Sequence, residues 1–321
     1  MKEYGSYQPF ECIKGQEYYS GEDVVSLNCA RNAIVYAIMD AKYECVYIPF
    51  YLCNTVRLTL DKYQIKYKGY HFNNNLEPVD IKLSVREGLL YPNLFGLVSK
   101  DKINKIINLY RNVIIDNTQA FFSEPNLCVY NVYSCRKFFG VSDGAYVIKK
   151  GITHNKYPVD FSGRRIKHLF VSLEEGTNAA YKENMKAEEE LSHSDILEMS
   201  SLTHMLLGII DYESVIEARK RNYDTLNSCL KKYGFPDCKR SEECVPCKYP
   251  FWYEHEKARE ILLNSQIYVP QWWNDLVETN EFECNMSKWL MPLPIDQRYS
   301  CLEIEQMAER IVSKFHENRI L

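Results

Sequence analysis

Lys137 stands between two short apolar runs, Cys128 to Tyr133 and Ala145 to Ile148, with Ser134 three positions before it and Asp143-Gly144 six and seven positions after it. An ammonium group drawn out of water in such a place is costly unless it is paired or loses its charge. One way to lose it is to condense with an aldehyde, so an imine with a cofactor of the pyridoxal phosphate (PLP) type is a chemistry open to this lysine. A lysine at a strand end that reaches back to solvent explains the same residues. Upstream, Asp116 closes the apolar run Val113 to Ile115, and Gln119 follows three positions later. A carboxylate at the carboxyl end of a strand lies where open α/β sheets bind ligands. Beside a pyridine nitrogen it would keep the ring protonated. At roughly 3 Å and an effective dielectric of about 20 that attraction is on the order of 5 kcal/mol, enough for several pKa units. Read alone, Asp116 serves as well as a helix N-cap, and Gln119 as an ordinary first-turn residue that can donate to a phenolic oxygen.

Three more stretches carry candidate chemistry. Cys29-Ala30-Arg31-Asn32 opens a segment of helical period, and the free backbone N–H groups at such a start suit a phosphate. Capping of the same helix by Asn28 is the alternative. The Ser134 hydroxyl can join that phosphate or close a turn. Phe50 and Tyr51 follow the apolar run Val46 to Pro49, where they can cover the face of a ring or belong to the core.

The elements that must position these residues follow from periodicity. A helix is predicted from Asn28 onward with Ala33, Ile34, Ala37 and Ile38 on one face, a strand at Val46–Pro49, a helix over Thr55–Tyr63, and strands at Tyr67–Phe72 and Leu89–Tyr91. A helix over Asp101–Tyr110 then leads to the short continuous run Val113–Ile115, of the kind buried on both faces of a parallel sheet. Strands alternating with helices imply β-α-β units and an α/β domain. After about Gly151 the alternation stops. A polar helix-favouring stretch around Arg164-Arg165 and Glu188-Glu189-Glu190 precedes one long helical pattern through Met205, Ile209, Ile216 and Leu226, closed by Gly234-Phe235-Pro236. The remainder reads as a smaller α+β unit: a strand near Pro250–Tyr253, a helix over His255–Asn264, a strand at Ile267–Val269 and a last helix over Leu302–Phe315. We therefore expect a large domain over 1–210 and a small one over 211–321.

Composition bounds the function. The 321 residues are 46% hydrophobic and 26% charged, ordinary for a globular chain with a sizeable core, and the net charge of -4 gives no reason to expect nucleic acid. No stretch approaches the roughly 20 apolar residues of a membrane span, and no leader-like apolar segment opens the chain, so no membrane association and a cytoplasmic location with reduced thiols are expected for its 12 cysteines. Cys244-x-x-Cys247 lacks a second well-spaced pair, so no metal is expected. The seven histidines show no ligand spacing, and no G-x-G-x-x-G follows an early strand, which sets a dinucleotide enzyme aside.

The order of a phosphate-type helix start, an aromatic loop, a strand-end Asp and a Lys at the end of the next strand resembles the DegT/StrS family of PLP-dependent sugar aminotransferases, a branch of fold type I. Asp116-Asn117-Thr118-Gln119-Ala120 matches that family's Asp followed by two small residues and Gln, and Ser134, Asp143 and Gly144 stand at the family's offsets from the lysine. Ile267-Tyr268-Val269-Pro270-Gln271-Trp272-Trp273 looks like its small-domain strand, and Leu293-Pro294-Ile295-Asp296-Gln297-Arg298-Tyr299 like its C-terminal signature. The resemblance, covering about 20 to 315, implies a large PLP-binding domain with a mostly parallel central sheet and a smaller α+β C-terminal domain. It also implies a cofactor bound to Lys137 as a Schiff base, Asp116 on the pyridine nitrogen, Gln119 near the phenolic oxygen, Tyr51 beside the ring, and phosphate held by Ala30, Arg31 and Ser134. An amino donor, glutamate, a nucleotide-linked keto sugar and a homodimer with shared active sites complete the expectation. Val132 replaces a usual Ser, Ala30-Arg31 replaces Gly-Thr or Gly-Ser, and only Asn178 and Asn184 offer themselves for the segment that reaches the neighbouring subunit. A sugar dehydratase, which typically replaces the lysine with His, and a relative kept only as a binding protein are the alternatives.

Overall fold

Short β-branched and aromatic runs separated by amphipathic stretches build the first half of the chain. The computed structural model describes residues 4, 5, 7, 8, 10, 11, 15–234, 236–276 and 279–321. Strand β1 (Val24–Leu27) leads to α1 (Ala30–Asp40), β2 (Cys45–Pro49), α2 (Asn54–Lys62), β3 (Lys66–Tyr70), β4 (Glu87–Pro92), α3 (Lys100–Tyr110), β5 (Val113–Asn117), β6 (Tyr130–Ser134) and β7 (Ala145–Ile148). These strands form one sheet in the order β1-β7-β6-β5-β4-β2-β3, parallel except where β7 runs antiparallel to both neighbours. Strands β5, β6 and β7 are buried along their whole length, as the continuous apolar runs require. Helix α1 covers one face through Ala33, Ile34, Ala37 and Ile38, and α3 covers the other through Ile103, Ile106 and Ile107.

The second half begins with two helices, α4 (Lys167–Glu175) and α5 (Thr177–Ser192), hinged at Gly176, whose φ of 90° suits glycine. The long helical pattern expected through Met205 to Leu226 is two helices, α6 (Ser201–Leu207) and α7 (Tyr212–Lys232). The break has a local cause: Asp211 caps α7 by accepting Ser214 N–H at 3.1 Å, which fixes a new helix start. Phe235, part of the predicted stop, lies outside the described residues. Then come β8 (Tyr249–Trp252), α8 (Ala258–Asn264), α9 (Glu281–Trp289), β9 (Leu290–Leu293) and α10 (Cys301–Glu317). β8 and β9 pair antiparallel as a separate sheet, packed on α8, α10 and the inner face of α7 through Tyr223, Leu226 and Leu230.

The strand expected at Ile267–Val269 is not one. Ile267 and Val269 bury their side chains as a strand would, but their backbone finds no ladder. Arg259 takes the carbonyls instead, donating to Val269 at 3.4 Å and to Pro270, while its other nitrogen reaches Leu290 O at 3.1 Å. Alternation of burial without a partner strand looks the same in sequence. Helix α9 and β9 were not foreseen, although the Asn280 and Glu283 capping box is a legible start signal. No described helix is long and apolar enough to cross a membrane.

Candidate active site

The register of the sheet brings the candidates to one edge. Leu27 at the end of β1 pairs with Ala145, which pairs with Ser134 at the end of β6, and Asn117 at the end of β5 pairs with Tyr133. With neighbouring strands about 4.8 Å apart, the start of α1, Ser134 and Asp116 all fall within roughly 15 Å along the carboxyl edge.

Lys137 lies on a single 3-10 turn, Cys135–Lys137, immediately after β6. The lysine is exposed rather than buried between strands, which corrects the premise that its ammonium is drawn out of water. It opens onto a cavity of about 1400 Å³ whose walls come from the lysine turn, α4, Trp272, Cys247-Lys248 and Asp296-Gln297-Arg298. Asp116, Gln119, Ser134, Arg31 and Tyr51 lie outside that lining. Asp116 is buried, accepts Thr118 N–H at 3.0 Å on Oδ1, and has no ion pair among the described residues. Burial pushes its pKa up, against the opposing hydrogen bonds of Thr118 and the charge of Lys137, which shows the two groups to be within electrostatic reach.

Aromatic packing ties the two loops together. Phe121, just after Gln119, meets Phe139 edge-on at 4.8 Å and Phe138 at 5.9 Å between ring centroids. Beneath them Tyr19 donates to Phe121 O at 2.6 Å and Tyr133 to Ser123 O at 2.9 Å. Part of the tyrosine excess is spent here.

The start of α1 carries no side-chain cap. Asn28 does not cap α1: its amide donates to Ser194 Oγ and Asp195 O at 3.0 Å, and its Oδ1 accepts from Asn32. The N-cap is Cys29, with no side-chain cap and no acid in the first turn. Arg31, half-buried, and Lys137 both act on Glu188 of α5, which pairs with Arg136. Burial works to raise the pKa of Glu188, but these three cations outweigh it and hold it below the usual carboxylate range. Arg136 Nε is buried without a hydrogen-bond partner among the described residues. Glu188 of α5 thus lies within reach of three cations, one of them Arg31 in the first turn of α1. Val132 is fully buried and its side chain contributes nothing polar. Asn178 is exposed and Asn184 half-buried on α5, the helix that carries Glu188.

Gln119 Oε1 accepts the backbone N–H of Phe95 at 2.8 Å, which fixes its orientation and leaves the amide nitrogen as the donating end. Phe95 itself sits at φ 61°, unusual for a bulky residue, and stacks on Trp272 at 5.3 Å. Phe95 escaped sequence reasoning; an aromatic-Gly pair straight after a strand was the available signal. Tyr51 is fully buried, its ring edge-on to Trp273 at 4.5 Å and its hydroxyl 3.5 Å from Trp272 O.

Asp143 and Gly144 hold the lysine turn in place. The Asp143 carboxylate, fully buried, accepts Ser200 N and Ser200 Oγ at 2.8 Å each and also the Thr203 hydroxyl, so it anchors the start of α6. Gly144 has φ 115°, donates to Asn28 O at 2.6 Å, and a Cβ there would sit 3.0 Å from Thr203 Cγ2. Asp143→Ala leaves three donors unpaired and is expected to lower stability by about 3 kcal/mol in urea unfolding, with Asp143→Asn intermediate. An unchanged urea midpoint would remove the anchor.

From the other side, Arg219, almost fully buried on α7, donates to Phe138 O at 3.3 Å, to Cys247 O at 3.2 Å and to Gln297 Oε1 at 3.0 Å. Gln297 Nε2 reaches the same Phe138 carbonyl at 2.8 Å. Residue 297 of the C-terminal signature therefore braces the backbone next to Lys137. Cys244 and Cys247 turn their thiols to the carbonyls of Val98 and Lys137 at 3.9 Å. Among the described residues no group of three or more His, Cys, Asp or Glu gathers as a metal site would.

No family model matches the chain, and no curated protein matches it by sequence. Solved structures do match. A DegT DnrJ EryC1 StrS aminotransferase from Brucella abortus aligns with a TM-score of 0.59 at 13% identity, covering 91% of this chain and 86% of that one. Spr1654 from Streptococcus pneumoniae in its PLP form aligns at 0.61 and 12% identity, covering 93% and 88%. DesI, crystallised in the presence of its TDP-sugar product, aligns at 0.63 and 12% identity, covering 92% and 82%. The chain has the fold of these proteins: a seven-stranded, mostly parallel central sheet with a smaller sheet beyond it.

Proposed function

We propose that this chain is a PLP-dependent aminotransferase of the DegT/StrS type, moving an amino group from an amino acid, glutamate, to a keto sugar carried on a nucleotide. The observation that carries the reading is the juxtaposition of an accessible Lys137 on a large cavity with a buried, unpaired Asp116 behind it, in the fold of sugar aminotransferases. The residue types present suit such a cofactor. Arg31, the N–H groups at the start of α1 from Ala30 on, and Ser134 would hold its phosphate, Asp116 would serve the pyridine nitrogen, and the Gln119 amide would donate to the phenolic oxygen. Tyr51 would support the aromatic wall through Trp273, and Lys137 Nζ would be the amine that holds the cofactor.

When bound, the cofactor supplies an aldehyde for amine exchange and a cationic ring that draws electrons from the substrate carbon. The chain's own groups do the rest. Asp116 stays ionised opposite that ring, because a cation reverses the effect of burial on its pKa. Lys137 Nζ would hold and move the proton at the substrate carbon as a general acid/base. Arg219 and Gln297 hold the turn still through Phe138 O while the lysine swings. Glu188 would compete with a bound phosphate for the charges of Arg31 and Lys137.

A homodimer with shared sites, a cytoplasmic location and a division into 1–210 and 211–321 belong to the same reading. The test is optical. Purified protein incubated with PLP is expected to show a band at the violet edge of the visible spectrum that glutamate bleaches. A protein that stays colourless after reconstitution overturns the proposal.

A further inference from the structure

The cavity beside Lys137 adjoins a second chamber of about 360 Å³, and the two share Thr177, Lys248 and Arg298 in their walls. Lys248 follows Cys247, whose thiol lies 3.9 Å from the Lys137 carbonyl, so it belongs to the segment that packs on the lysine turn. It is half-buried and makes no hydrogen bond or ion pair among the described residues.

The acids nearby are already engaged. Asp296 accepts Arg298 Nε at 2.7 Å and Nη2 at 3.0 Å, using both its oxygens. Glu303, also in the smaller chamber, accepts Ser300 N at 2.8 Å and Ser300 Oγ at 2.7 Å. Lys248, Arg298 and Arg310 line the smaller chamber against one carboxylate, Glu303, while Asp296 lines the larger cavity, so cations predominate where the two meet; of these cations Lys248 has no hydrogen bond or ion pair among the described residues. Burial, with the guanidiniums of Arg219 and Arg298, pushes the Lys248 pKa down against the pull of Cys247 and Asp296. An ammonium so placed at a cavity wall is free to donate to an anionic oxygen of a bound molecule.

We propose that Lys248, with Arg298 beside it, forms a subsite for an anionic oxygen group of the substrate, a carboxylate or a phosphate, while the reacting group of that substrate lies at Lys137. The aminotransferase reading supplies only the identity of the reacting group; the anion site stands without the cofactor. Sequence reading passes over Lys248 because nothing local separates it from a surface lysine, and only the fold turns it toward the cavity.

The experiment is equilibrium dialysis of the full-length protein, preloaded with PLP, against glutarate and against pyrophosphate. Lys248→Met, which keeps the aliphatic stem, is expected to weaken one of the two probes by about tenfold, and Lys248→Arg to restore it. A loss confined to glutarate assigns the subsite to a carboxylate substrate, and a loss confined to pyrophosphate to a phosphorylated one. The same split is then expected in KM for the amino donor or for the acceptor. Equal binding of both probes by wild type and Lys248→Met overturns the proposal, as does binding lost in Arg31→Ala and kept in Lys248→Met. Because unloaded protein can be dialysed in the same way, failure of the cofactor reading shows as a colourless protein that still binds the probe through Lys248.

Discussion

Lys137→Ala is expected to fold, to stay colourless with PLP, and to lose turnover by at least about 10⁴-fold. Two losses combine, the covalent hold on the cofactor and the proton shuttle, and general acid/base catalysis alone is commonly worth about 10² to 10⁴. Folding is spared because the side chain is exposed on the turn, while the backbone there is held by other residues: Phe138 O by Arg219 and Gln297, and the following loop by Asp143. Borohydride reduction of the wild type with PLP, followed by digestion, is expected to leave the cofactor's mass on the peptide carrying Lys137 and on no other. A labelled peptide from elsewhere, or undiminished colour in the variant, would assign the chemistry to a different amine.

Asp116→Asn is expected to lower turnover by about 10² to 10³, the range seen when one preorganised electrostatic group is removed, while leaving the thermal stability of the cofactor-free protein equal or higher. The sign follows from the raised pKa. A carboxyl whose pKa is higher folded than unfolded contributes stability that is full below its unfolded value and is lost as pH rises through its folded value. Above its unfolded pKa the Asp116 carboxyl is therefore a liability to the empty fold, and a neutral isostere removes it. Asparagine can still accept Thr118 N–H, so the local turn survives. A residue that weakens the fold and serves the chemistry is the pattern of a functional group, since active sites commonly trade stability for activity. If Asp116→Asn instead melted several degrees lower with turnover intact, Asp116 would be a helix cap and nothing more. The stability optimum of the variant without cofactor is also expected to extend further to the alkaline side, readable from melting curves across pH.

Much of the architecture was legible because it is local. Val113–Ile115 could hardly be other than a buried strand, and the Ala33, Ile34, Ala37 and Ile38 stripe needed only a sheet to lie on. Ala145 to Ile148 was delimited to the residue. Where local signals compete, reading along the chain failed. The Met205 to Leu226 pattern crosses a real helix break because both halves turn apolar faces inward with nearly continuous period, and Asp211 decides the boundary by a single cap. Ile267 to Val269 alternates like a strand, yet whether it is one depends on a partner, and Arg259 takes the Val269 carbonyl instead.

By itself the sequence determined the types and order of the chemical groups, a strand-end Asp116, an amine at Lys137 and a helix start at Ala30, because residue identity and short-range periodicity need no third dimension. Only the tertiary structure decided what surrounds them. It turned Asn28 away from the helix it precedes, brought Glu188 to Arg136 across 52 positions and Gln297 to Phe138 across 159, and left Lys248 facing a cavity without a partner. Such contacts are set by which surfaces the sheet and helices bury together. No window of neighbouring residues carries that information.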